Sequence, residues 1–144
     1  MKSALQRGLV YSLLIALLAA CSPDDKSDST SQQYFFLEAL QQVETGGKQL
    51  QIPDLSQDAL VQALALLDQG LKLAFEVERE FLDQLDLRLG KNFQRYFIKG
   101  VENYRLGIEA GDAEQQREGL QLLAQWAEFW NSEGDAILAR LKPA

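Results

Sequence analysis

The sequence predicts an all-α protein: an antiparallel up-and-down helical bundle of three long helices and a shorter first one, over residues 34–144. Three observations carry this. Beyond residue 34, apolar residues recur mostly at spacings of three and four, the period at which side chains share a helix face. The junctions at Gly90 and at Gly111-Asp112 are short, which implies antiparallel neighbours. No segment keeps a two-residue alternation between hairpin turn signals, so a sheet has little support.

The elements follow in order. Tyr34 to Val43 reads as a short amphipathic helix ended by Gly46-Gly47, with Gln49 to Pro53 as connector. Asp54 or Ser56 can cap the second helix, with Gln57 three residues after Asp54 as in a capping box. From there Leu60, Leu64, Leu67, Leu71, Phe75, Leu82, Leu85 and Leu89 mark one long helix. Its single interval of seven, from Phe75 to Leu82, equals two turns, with Glu78 between. Gly70 is expected inside this helix and Gly90 at its end. Phe93, Phe97, Val101 (or Tyr104) and Ile108 outline the third helix, which Asn92 can restart and Gly111 closes. Asp112 is expected to cap the last helix, which runs through Leu120, Leu123, Trp126, Trp130, Ile137 and Leu141, with a kink at Gly134-Asp135.

Ahead of the bundle the pattern changes. Residues 1–20 read as a signal peptide: Lys2 and Arg7 give a positive start, Leu9 to Leu18 an apolar run, and Ala19-Ala20 a small-residue end. The run is short for a membrane-spanning helix, which needs roughly 20 residues. Leu18-Ala19-Ala20-Cys21 resembles the lipobox of bacterial lipoproteins, matching the Leu-small-small-Cys pattern at all four positions. That resemblance implies that the leader is cut before Cys21, that Cys21 carries diacylglycerol, and that the new amino terminus is acylated, commonly with palmitate. Acyl chains contribute about 0.8 kcal/mol per buried CH₂, so two or three of them anchor a protein stably. Ser22 follows the cysteine. In lipoproteins similar to those of enteric bacteria, Asp at that position marks inner-membrane retention, so Ser22 favours the outer membrane, facing the periplasm. Residues 21–33 then form the lipidated cysteine and a tether. Ser22 to Gln33 has no apolar residue to offset its ordering entropy, so a flexible leash is expected.

Composition excludes whole classes of function. Of the 14 basic residues, Lys2 and Arg7 lie in the leader, leaving 12 against 21 acidic ones, a formal charge of −9. Such a surface argues against nucleic acid and against electrostatic attraction to anionic lipid. Histidine is absent and there is one cysteine. No Ser-His or Cys-His nucleophile, no thiolate metal cluster and no His-ligated metal site can be assembled. With Cys21 assigned to lipid, the mature domain has no ordinary nucleophile or soft metal ligand, so neither an enzyme, a cofactor nor a metal is expected.

Four residue groups invite a functional reading. Glu76, Glu78, Glu80, Asp83 and Asp86 form the densest charge cluster, with Glu76, Glu80 and Asp83 on one face of a continuous helix; a solvated face is the simplest account. Lys91, Arg95 and Lys99 form a basic stripe at i, i+4, i+8, flanked by Arg88 and Arg105, suited to cross-helix ion pairs or to binding an anion. Gly100 and Gly107 are two turns apart and imply close approach of another helix or of a ring such as Tyr96 or Tyr104. Trp126, Phe129 and Trp130 crowd one turn of the last helix, as core, as an apolar ligand pocket, or as a partner-binding surface rich in hot-spot residues. Together these lead to a lipid-anchored, non-enzymatic protein that binds a protein partner as an envelope adaptor or assembly factor. A binding module for an apolar small molecule or lipid, and an immunity-type inhibitor of a periplasmic toxin, are the alternatives.

Overall fold

The computed structural model describes residues 24–141, with side chains from residue 29. The segment expected as a signal peptide, Cys21 and Ser22 lie outside the described residues. Those described form an all-α bundle: α1 (Asp24–Leu50), α2 (Gln57–Phe75), α3 (Arg79–Leu85), α4 (Leu89–Asn92), a π-helical stretch (Phe93–Ile98), α5 (Lys99–Ala110) and α6 (Ala113–Arg140). The chain divides into two units after Thr30, and the helical body is the second, Ser31–Ala144.

The first helix is longer than its local sequence suggests. It begins inside the segment expected as a leash and runs on through Gly46-Gly47. Two glycines lower helix propensity by about 1 kcal/mol each, but packing against α2 opposes that cost. A Cβ added at Gly46 would fall 2.9 Å from the Ala63 carbonyl oxygen, and one at Gly70 would fall 2.6 Å from Val43 Cγ2. The two helices therefore run antiparallel at backbone-to-backbone range, a separation that only glycine permits.

Ser56 caps α2, its hydroxyl accepting from the Ala59 amide at 3.2 Å. The long second helix expected to reach Leu89 is broken twice. It stops at Phe75, and a link at 76–78 leads into α3, whose first residue is Arg79. A second break falls at 86–88, because the Asp86 carboxylate accepts the Arg88 amide at 2.8 Å. Such local side-chain bonds compete with the helix ladder. Gly90, expected as the stop, lies within α4 instead, buried under Asp83, whose Oδ1 accepts its amide at 3.2 Å.

From Leu89 to Ala110 the backbone stays helical, widening at 93–98, where the Lys99 amide reaches back five residues to the Gln94 carbonyl. Gly111 then ends α5 in the left-handed region at φ 66°. Asp112 caps α6, accepting from the amides of Glu114 and Gln115, both at 3.0 Å. The hairpin they close is antiparallel and very tight. Gly100 faces Leu123, Gly107 faces Gln116, and Gly119 faces Tyr104, where an added Cβ would fall 2.7 Å from Tyr104 Cα. α6 continues through Gly134-Asp135, and Gly134 is buried against the Trp130 ring.

The core is aromatic at its centre. Phe93 and Phe97 stack at 4.8 Å, and both meet Trp126 edge-on, at 5.7 and 5.3 Å. Phe36 of α1 closes on Phe93 at 5.4 Å and on Trp130 at 5.9 Å. The π-helical stretch thus presents both of its phenylalanines to α6 and Phe93 to α1 as well. Ala39, Val43, Leu67, Leu71, Ala74, Leu82, Leu85, Leu89, Val101 and Ile137 complete the buried cluster.

Candidate partner-binding cleft beside the widened turn

The break after α2 leaves an aromatic residue without cover. Phe75, the last residue of α2, is 62% exposed, although the helical period that places Leu67 and Leu71 would bury it too. With the chain turning away at 76–78, no described residue covers the ring. It stands instead on the rim of an open-sided cleft of about 320 Å³. Val77, Leu82, Phe93 and Ile98 supply the apolar walls and floor, and Gly90 and Gln94 also line it. Leu82 and Phe93 are core residues, so the cleft is a shallow opening onto the main aromatic cluster.

The link that carries this rim is held from α1. Gln32, a buried polar residue at 6% exposure, accepts the Glu78 amide on its Oε1 at 2.7 Å and donates its Nε2 to the Glu76 carbonyl at 3.1 Å. One carboxamide therefore satisfies a donor and an acceptor that the break in the helix ladder leaves open. Expected as part of a leash, Gln32 is a structural clamp.

Charges edge the cleft. Arg79 pairs with Asp83 at 3.2 Å and Lys99 with Glu102 at 3.4 Å, so both cations that line it are already matched. Glu76, Glu78 and Glu80 are exposed, with no ion pair among the described residues. They do not form the single acidic helix face the sequence suggested, because the break at 76–78 separates Glu76 from Glu80 and Asp83.

Comparison with protein-family models, curated proteins and solved structures finds no match for this chain. The site is therefore read from its own residues. Among the described residues no group of three acidic or cysteine side chains gathers closely enough to hold a metal ion, and no helix is long and apolar enough to cross a membrane.

The groups singled out in the sequence fall elsewhere. Trp126 is a core residue at 7% exposure, wedged among Phe93, Phe97, Phe129 and Trp130. Of the three residues expected as a possible partner surface, Trp126 is therefore part of the core. Phe129 and Trp130 are half-buried, and the Arg88 guanidinium lies 5.6 Å over the Phe129 ring. The three residues of the basic stripe have different surroundings. Arg95 lies 5.4 Å over its neighbour Tyr96, Lys99 is paired, and Lys91 stands exposed. Cross-helix ion pairs do occur, but from the flanking residues: Arg88 to Glu133 at 3.0 Å and Arg105 to Asp68 at 4.0 Å. Gly100 and Gly107 serve close helix packing, as their spacing suggested.

Proposed function

We propose that this chain is a lipid-anchored outer-membrane lipoprotein, attached through Cys21 and facing the periplasm, whose helical body binds a protein partner and catalyses no reaction. The observation that carries the partner-binding reading is Phe75: an aromatic ring 62% exposed on the rim of an apolar cleft. Binding energy at protein interfaces concentrates in a few such anchors beside pockets that exclude water. A tethered acidic bundle that presents one anchored edge suits an adaptor or assembly factor of the envelope. The leader, the lipobox resemblance and Ser22 support the location.

A second reading, capture of an apolar small molecule, draws on the same cleft, whose volume lies at the lower end of the range for ligand pockets. The open side and the exposed ring favour a protein side chain over an enclosed ligand.

Two experiments test the proposal. Cys21→Ser should abolish incorporation of labelled palmitate, and unchanged labelling would refute the anchor. Affinity purification of the full chain from membranes should recover a partner that Phe75→Ala loses while keeping its helical circular dichroism. Equal recovery by both would refute the cleft as its site.

A further inference from the structure

We infer that the partner segment seated on the Phe75 cleft is cationic and amphipathic, with one apolar anchor side chain entering the cleft and lysines or arginines flanking it. This rests on the partner-binding reading of the same cleft and adds the chemistry of the occupant. The size of the opening sets the anchor. A volume of 320 Å³ corresponds to about ten waters of liquid, room for a single large apolar side chain rather than a packed element. Phe75 at the rim and Val77, Leu82, Phe93 and Ile98 within give that side chain apolar contacts on several sides.

Charge complementarity sets the flanks. Arg79 and Lys99 are neutralised by Asp83 and Glu102, so on the side of the cleft that carries Phe75 the unmatched charge belongs to Glu76, Glu78 and Glu80, while Lys91 and Arg95, next to Gly90 and Gln94, are the unmatched cations on the other side. Three carboxylates within five residues of an exposed phenylalanine repel an acidic segment and attract a basic one. The edge is also ordered before anything binds. Gln32 fixes the backbone at 76 and 78 through bonds of 3.1 and 2.7 Å, so docking need not order this link. An anionic bilayer is disfavoured as occupant by the same carboxylates.

Two synthetic amphipathic peptides with one apolar face in common, flanked in one case by lysines and arginines and in the other by glutamates, test this by fluorescence anisotropy against the full chain in detergent. The basic peptide should bind, and the acidic one should not. Phe75→Ala should weaken the basic peptide about thirtyfold. Joint Glu76→Gln, Glu78→Gln and Glu80→Gln should weaken it about tenfold at low salt. Joint Glu44→Gln, Asp54→Asn and Asp58→Asn, toward the other end of α2, should leave it within about twofold. Equal binding of both peptides, binding of neither, or equal loss in the two neutralised sets would overturn the inference. So would Phe75-dependent binding to vesicles of anionic phospholipid. If a partner is still lost from membranes with Phe75→Ala while any of these results holds, the cleft remains a partner site of different chemistry. If no Phe75-dependent partner is recovered, the partner-binding reading itself fails.

Discussion

Gln32 accepts the amide of Glu78 at 2.7 Å across 46 residues of chain, and its other end donates to the carbonyl of Glu76. This one side chain ties α1 to the link between α2 and α3, and it holds the edge on which Phe75 stands. Gln32→Ala should remove both bonds and open a small void, at a cost of about 2 kcal/mol. Urea denaturation measures that loss. Hydrogen exchange at the Glu78 amide should accelerate more than at the Ala59 amide, which Ser56 caps far from the clamp.

Trp126 should behave as a core residue. Trp126→Ala removes a ring in contact with four other aromatic side chains, and truncation of a buried tryptophan costs about 3–5 kcal/mol. Loss of near-ultraviolet circular dichroism and a lowered denaturation midpoint should accompany any loss of partner. A variant with native stability would contradict the packing described.

Two glycines should respond in opposite directions to alanine. At Gly119 the new Cβ would meet the Tyr104 backbone, which cannot swing aside, so Gly119→Ala should destabilise the protein by about 2–3 kcal/mol. At Gly47 nothing lies within 4 Å and the backbone is helical, so Gly47→Ala should stabilise by about 0.5–1 kcal/mol. Thermal unfolding of the two variants side by side checks both signs.

Asp86 gives a pH signature. The Arg88 side chain and amide bond its carboxylate and hold it below the ordinary value of about 3.9. Between the lowered folded value and the unfolded one, the unfolded chain binds the extra proton, so stability rises with pH in that window. The stabilisation is complete above about pH 4–5 and is lost as pH falls through the folded value. Asp86→Asn should therefore cost under about 1 kcal/mol near neutrality, solvent screening keeping it small. The difference from wild type should shrink on acidification below pH ~4. A difference that grows with acid would contradict the arrangement.

Much of the fold is legible locally. Ser56, Gly111 and Asp112 work as cap, stop and cap because each acts on amides or dihedrals within a few residues. The close helix approach at Gly100 and Gly107 is legible from the cost of glycine in a helix. What escapes the sequence is decided at a distance. Gly46-Gly47 reads as an end, yet α2 packs over Gly46. Gln32 reads as leash because a polar run offers no apolar area, whereas its carboxamide is buried for its two bonds and not for its hydrophobicity. The candidate site was present as a misread sign: the interval of seven from Phe75 to Leu82 marks the break at 76–78, not two further turns. A period of seven is the same in both cases, and only the partner at Gln32 separates them.

Photo-crosslinking in growing cells tests the central claim most directly. Benzoylphenylalanine placed at position 75 should give a discrete protein adduct. The same residue at Val61, also apolar and 59% exposed but near the opposite end of α2, should give none. No adduct at 75, or indistinguishable adducts at both positions, would contradict the account of the Phe75 cleft as a partner-binding site.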